Sequence, residues 1–212
     1  MSIGVIGNDE TNKLINTDEE NKYYDNTVNI TLNTQNESHA LLCNRIKPNS
    51  MVLDIGCATG IIGKILKNEL DCQVYGIELD TEAIEYAKQT KAYNDIFNFD
   101  IVKRNGKDYD KFEQINIKFD YIVFADVLEH VVDPADVIVF FARYLNSEGK
   151  ILTSLPNVAH YDIINGLLND NFNYSNMGIL DNTHIRFFTK YSFAQYVDSI
   201  NKIGRAHVWT PV

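Results

Sequence analysis

The chain has no surplus of basic charge: among 212 residues, 29 acids outnumber 19 lysines and arginines, for a formal net charge of −10. Neutralising phosphates needs clustered cations, so a nucleic-acid-binding surface is excluded as the main function, and Lys103-Arg104 reads as solvated surface. Cysteine is also scarce. Cys43, Cys57 and Cys72 show neither Cys-x-x-Cys nor mixed Cys/His metal spacing, and their odd number suits a reducing compartment. No run approaches the ~20 apolar residues that cross a bilayer. No basic-then-apolar signal pattern opens the chain, so a cytoplasmic location is expected.

What is present is a chain long enough for one sizeable α/β domain. Residues 1–27, rich in Asn, Asp, Glu and Thr, read as a polar leader, and Val28 to Leu32 alternates like a short strand or extended arm. Ser38 to Ile46 carries apolar residues at helical spacing and stops at Lys47-Pro48-Asn49. Strands then alternate with helices: Met51 to Ile55, Gln73 to Glu78, Ile96 to Asp100, Phe119 to Phe124 and Gly149 to Ser154 are strands. Helices follow Gly60, span Thr81 to Thr90, and run from Asp133-Pro134 through Leu145. This order implies a doubly wound, mostly parallel, Rossmann-like sheet. Beyond Pro156 the alternation fails. A helix from about Tyr161 to Leu168, an aromatic and Asn-rich loop, an extended Ile185 to Phe188, and a helix from about Lys190 to Ile200 follow, and residues 155–189 are expected to cover a ligand crevice.

The chemistry concentrates at Val52-Leu53-Asp54-Ile55-Gly56-Cys57-Ala58-Thr59-Gly60. A buried strand end runs into a turn poor in side chains, where Gly56, Ala58 and Gly60 leave room for close approach. A helix begins at Ile61, and its first amides face back toward the turn. A dinucleotide fingerprint needs Gly-x-Gly-x-x-Gly, and Ala58 holds the second glycine position. Glu78 ends the second strand 18 residues after Gly60, where a carboxylate can accept two ribose hydroxyls. Phe119 to Phe124 runs into Ala125-Asp126-Val127-Leu128-Glu129-His130.

These segments resemble class I S-adenosylmethionine-dependent methyltransferases, especially O-methyltransferases of the ubiquinone-biosynthesis type and bacterial glycan-associated relatives. The resemblance implies S-adenosylmethionine as cofactor, held by Asp54, Gly56, Cys57, Ala58, Gly60, Glu78 and Leu79, with Asp126 and Val127 at the end of strand four. It assigns the adenine amino group to Asp100, with Asp108 and Asp110 as rivals. It places Glu129 on the acceptor side, and His160 and Arg186 beside a small-molecule or glycan-type acceptor. His130 or His184 is the candidate general base, since imidazole titrates near neutrality; equally, His130 orders the loop before Asp133-Pro134. His130, His160 and His184 lack short ligand spacing, so no metal is expected.

Ile203 to Val212 resembles a translated adapter read rather than native sequence. The methyltransferase domain is then residues 28–202, truncated before the last two strands of its sheet, leaving strand five with an open edge. Two other readings stay open: an NAD-dependent oxidoreductase, and a non-catalytic methyltransferase-like fragment that binds cofactor without turnover.

Overall fold

The computed structural model describes residues 30–203 and 208–209. The polar leader, residues 1–27, lies outside them. Six strands form one parallel sheet in the order β3-β2-β1-β4-β5-β6. They are β1 (Met51–Ile55), β2 (Gln73–Glu78), β3 (Tyr93–Asn98), β4 (Phe119–Ala125), β5 (Leu145–Ser154) and β6 (Val208–Trp209). The helices are α1 (Ser38–Cys43), α2 (Ile61–Leu70), α3 (Thr81–Gln89), α4 (Lys107–Glu113), α5 (Pro134–Ala142), α6 (Tyr161–Leu168) and α7 (Lys190–Ile203).

Period-two alternation in the strands sorts the core into two layers. Leu53, Ile55, Ile122 and Phe124 face the side covered by Phe112 of α4, Phe141 of α5 and Phe193 of α7. Val52, Tyr121 and Val123 face the opposite side, covered by Leu42 of α1 and Ile62, Ile65 and Leu66 of α2. The central strands are buried on both faces and read as continuous apolar runs, as a parallel sheet requires. Asp133 accepts the Asp136 amide and Pro134 occupies the first turn, so α5 begins where the sequence places it.

Several elements differ from expectation. Strand β3 starts at Tyr93 rather than Ile96, because Asn94 and Asp95, which hide its pattern, are used as edge polar groups. Asn94 Oδ1 accepts the Val74 amide at 3.1 Å, and Asp95 pairs with Lys111 at 2.6 Å. Helix α5 ends at Ala142 and β5 begins at Leu145. Ile185 to Phe188 forms no strand and makes one bridge, Asn157 to Phe188. Residues 30–32 also form no strand, and Val28-Asn29 lie outside the described residues.

The edge of β5 is not open along its whole length. Val208 pairs with Ile151 and Trp209 with Leu152, both parallel, so a stretch read as non-native supplies a two-residue strand. Among the described residues, no helix is long and apolar enough to cross a membrane.

Candidate active site

The strand order reverses direction between β1 and β4, which are adjacent and parallel. Loops that leave the carboxyl ends of these two strands diverge there and open a crevice. Three of the predicted segments meet at this place: the turn after β1, the acid ending β2, and the loop after β4.

The turn is tightly held. Gly56 and Cys57 donate their amides to the Ile77 carbonyl at 2.8 and 3.1 Å, and Gly60 donates to Cys57 at 2.9 Å. Gly56, Ala58 and Gly60 all have positive φ, at 70°, 43° and 89°. Their smallness serves protein neighbours directly. A Cβ on Gly56 would stand 2.5 Å from Val127 Cγ2, and one on Gly60 would stand 3.1 Å from both Ala87 Cα and the Tyr93 ring. Val127 is thereby placed against the turn. Cys57 is buried, and burial chiefly pushes its thiol up, away from the thiolate form that acts as a nucleophile.

Glu78 reaches across to this turn. Its Oε2 accepts the Ala58 amide at 2.9 Å, while Oε1 accepts the amides of Leu79 at 2.7 Å and Asp80 at 2.9 Å. The carboxylate therefore ties β2 to the β1 turn while remaining half-buried. Leu79 beside it is 61% exposed, an apolar side chain open at the crevice rim. Asn98, absent from the sequence reading, donates to the carbonyls of both Glu78 and Leu79 at 2.9 Å and holds this strand end.

Asp54 sits beneath the turn. Alternation in β1 turns its side chain toward α2, where it is 1% exposed. Tyr93 donates its hydroxyl to Asp54 Oδ2 at 2.7 Å and accepts the Gly63 amide at 3.1 Å, while Oδ1 has no hydrogen-bond partner. Burial raises the carboxyl to about 7, Tyr93 opposes that rise and the charge of Glu78 adds to it. Tyr93 also fills the room beside Gly63, where a Cβ would lie 2.3 Å from its ring. Sequence reasoning missed Tyr93, whose only signal is its position at the start of a polar-looking strand.

Asp100 is engaged within its own loop. Its Oδ1 accepts the amides of Val102 at 2.8 Å and Lys103 at 3.2 Å, and Oδ2 lies 3.4 Å from Lys103 Nζ. Burial opposes ionisation there, but these groups outweigh it and hold the carboxyl below its usual value. Both oxygens are engaged within the loop that follows β3. One rival is engaged too, Asp108 accepting the Asn98 backbone amide at 3.1 Å.

After β4, Asp126 takes the left-handed conformation with φ 53°. Ser154 at the end of β5 locks it, donating Oγ to Asp126 Oδ1 at 2.9 Å and accepting its amide at 3.1 Å. A cavity of about 210 Å³ adjoins this bond, lined by Ser154, Leu155, Asn157 and Phe188. A turn of 3-10 helix, Leu128–His130, then carries Glu129 inward and His130 outward. The Glu129 carbonyl accepts the amides of Ile185 and Arg186 at 2.9 and 3.0 Å, which brings His184 to the same spot. The His130 and His184 rings lie 4.8 Å apart, edge to face. Burial, chiefly, and the neighbouring His184 ring hold the His130 imidazole below its usual value, and burial pushes the Glu129 carboxyl up to about 8.

The remaining predicted residues stand apart from this cluster. His160 caps α6, accepting the Asp162 amide at 3.3 Å. The Arg186 guanidinium donates to the Val132 carbonyl and ties the covering segment to the loop after β4.

A family model described as a methyltransferase domain matches residues 34–201. A ubiquinone biosynthesis O-methyltransferase of Neisseria meningitidis is 26% identical over 121 residues, covering 57% of this chain and 48% of that protein. A ribosomal protein L11 methyltransferase of Lactobacillus gasseri is 33% identical over 112 residues, covering 51% and 32%. The chain thus spans less than half the length of these two curated relatives. Among solved structures, the plantazolicin methyltransferase BamL, in complex with a triazolic desmethylPZN analogue and SAH (S-adenosylhomocysteine), superposes with a TM-score of 0.59 at 17% identity over 79% of this chain and 62% of its own. A possible histamine N-methyltransferase of Thermotoga maritima gives 0.54 at 15% identity, over 77% and 68%. At these identities the structural likeness concerns the fold.

Proposed function

The chain belongs to the methyltransferase domain family, and from that premise we propose that it transfers the methyl group of S-adenosylmethionine to a hydroxyl oxygen of a small-molecule or sugar-linked acceptor. The observation that carries the cofactor half is the contact between Glu78 and the β1 turn, with the Ala58 amide 2.9 Å from the carboxylate. It sets an acid with hydroxyl-accepting oxygens beside a backbone that leaves room for a ligand, at the crevice between β1 and β4. In this reading Glu78 exchanges local amides for the two ribose hydroxyls, Leu79 lies against adenine, and Asp126 and Val127 form the floor beneath the methyl group. Asp100, which also supports the loop after β3, is the candidate acceptor for the adenine amino group.

Methyl transfer from a sulfonium is an in-line displacement: the acceptor oxygen bonds the methyl carbon as the carbon–sulfur bond breaks and its electron pair stays on sulfur. The cofactor supplies the activated carbon, so the protein contributes mainly proximity and orientation. A hydroxyl acceptor must also lose a proton, and that loss is assigned to the cluster of Glu129, His130 and His184. The name of the Neisseria relative supports oxygen as the methylated atom. Family membership removes the support for a dinucleotide, already weakened by Ala58 at the second glycine position.

Mass spectrometry of small molecules released from the denatured, freshly purified protein tests the cofactor. S-adenosylmethionine or its demethylated product is expected. Recovery of NAD or NADH, together with no binding of S-adenosylmethionine on dialysis, would overturn the reading.

A further inference from the structure

We propose that Glu129, His130 and His184 bind a divalent transition-metal cation. Glu129 is 1% exposed, yet neither carboxylate oxygen has a hydrogen-bond partner. A buried carboxylate without donors is costly, and proteins retain such groups where a cation or a proton satisfies them. The nitrogen facing it is His184 Nε2, 3.9 Å from Oε1, with side chains only 8% and 1% exposed. One ligand atom from each of Glu129, His130 and His184 lies within 4.8 Å of the others.

The tautomers are fixed by the neighbours. His130 Nδ1 faces the Thr183 carbonyl at 3.3 Å, and His184 Nδ1 faces the Ile179 carbonyl at 3.0 Å. A carbonyl only accepts, so each Nδ1 carries a proton and Nε2 is the nitrogen left to ligate. Backbone carbonyls that orient imidazoles in this manner are the usual outer support of histidine ligands. The support is itself anchored. Asp181 accepts the Thr183 hydroxyl at 2.6 Å and amide at 2.8 Å, and Glu129's own carbonyl holds the strand of chain that carries His184.

The donor set selects the class of ion. Two imidazoles and one carboxylate suit Zn²⁺, Mn²⁺, Fe²⁺ or Co²⁺, whereas Mg²⁺ and Ca²⁺ prefer all-oxygen shells. Ligand atoms about 2.1 Å from a shared ion stand roughly 3.0–3.4 Å apart, so the cluster closes by about 1 Å on binding. Three protein ligands leave positions open, the mark of a reactive rather than a structural site. His130 is exposed, so a ligand from outside can reach those positions, and the charge of Asp126 bears on both Glu129 and His130.

What the ion does rests on the methyl-transfer reading; that it binds does not. An acceptor hydroxyl that takes an open position releases its proton to solvent more readily, and its oxygen then attacks the methyl carbon. The imidazoles act as ligands in this scheme.

The test uses the full chain after chelation and desalting. Titration with Mn²⁺, read by loss of the free-ion paramagnetic signal, is expected to give one saturable site per chain. Glu129→Gln and His184→Ala should each weaken it by roughly 100-fold, by analogy with the 10–100-fold effects of outer partners, while His160→Ala keeps wild-type affinity. Co²⁺ absorption bands of nitrogen and oxygen ligation in the wild-type protein are a second readout independent of variant folding. Absence of saturable Mn²⁺ binding and of Co²⁺ bands would overturn the site, as would equal affinity in folded Glu129→Gln. S-adenosylmethionine affinity measured alongside separates the two failures: cofactor without ion sinks the metal site alone, and ion without cofactor sinks the methyl-transfer reading alone.

Discussion

Replacing Tyr93 by Phe should loosen the turn after β1 from below. The hydroxyl donates to Asp54 at 2.7 Å and accepts from Gly63 at 3.1 Å, so its removal strands a buried amide and half of a buried carboxyl. Leaving such groups unpaired costs about 1–3 kcal/mol, or roughly 2–12 °C in melting temperature for a domain of this size. The same pair carries a pH signature. Asp54 rises from 3.8 to about 7 on folding, so between those values the folded chain keeps a proton that the unfolded chain has released. The contribution is fully present below pH 3.8 and is lost as the pH rises through about 7, some 4 kcal/mol in all, taken as roughly 3 units at 1.36 kcal/mol each. Thermal melts of wild type and Asp54→Asn from pH 4 to pH 8 read this difference. The variant should lose less stability than wild type across that window, and Tyr93→Phe, which removes the bond that lowers the carboxyl, should lose more. Parallel pH profiles for wild type and Asp54→Asn would refute the reasoning.

Gly56→Ala should destabilise by about 1–3 kcal/mol, because its Cβ meets Val127 at 2.5 Å and its φ is 70°; denaturant melts check this, and a neutral effect would contradict the packing. Ser154→Ala should cost about 1–2 kcal/mol by unlocking Asp126, with a matching fall in S-adenosylmethionine affinity seen by calorimetry. Gly63→Ala should be worse tolerated than Gly56→Ala, since the clash is with the Tyr93 ring that also positions Asp54.

The geometry of the candidate cofactor site is legible because its signals are local. Strand, turn and helix from Val52 to Ile61 occupy adjacent residues, and Glu78 follows from the period of one βα unit. Asp133-Pro134 is legible for the same reason, since a cap acts within one helical turn. Tyr93 is not, because it meets Asp54 across 39 residues and enters through a strand whose second and third residues are polar. Histidine spacing misleads in a similar way: His130 and His184 are 54 positions apart, yet two amides donated to the Glu129 carbonyl fold them together. Asp100 shows another limit: it lies two residues past the end of β3, and two following amides occupy one of its oxygens. Short acids are readily captured by their own backbone, which spacing alone does not reveal.

The central claim is that the β1 turn and Glu78 hold S-adenosylmethionine, and calorimetric titration of that cofactor into wild type and Glu78→Ala tests it most directly. Wild type should bind one equivalent, and the variant should bind roughly 10- to 150-fold more weakly, the loss of about 1.5–3 kcal/mol expected for hydrogen bonds to a charged group. Unchanged affinity in a folded variant, or no saturable binding to wild type, would contradict it.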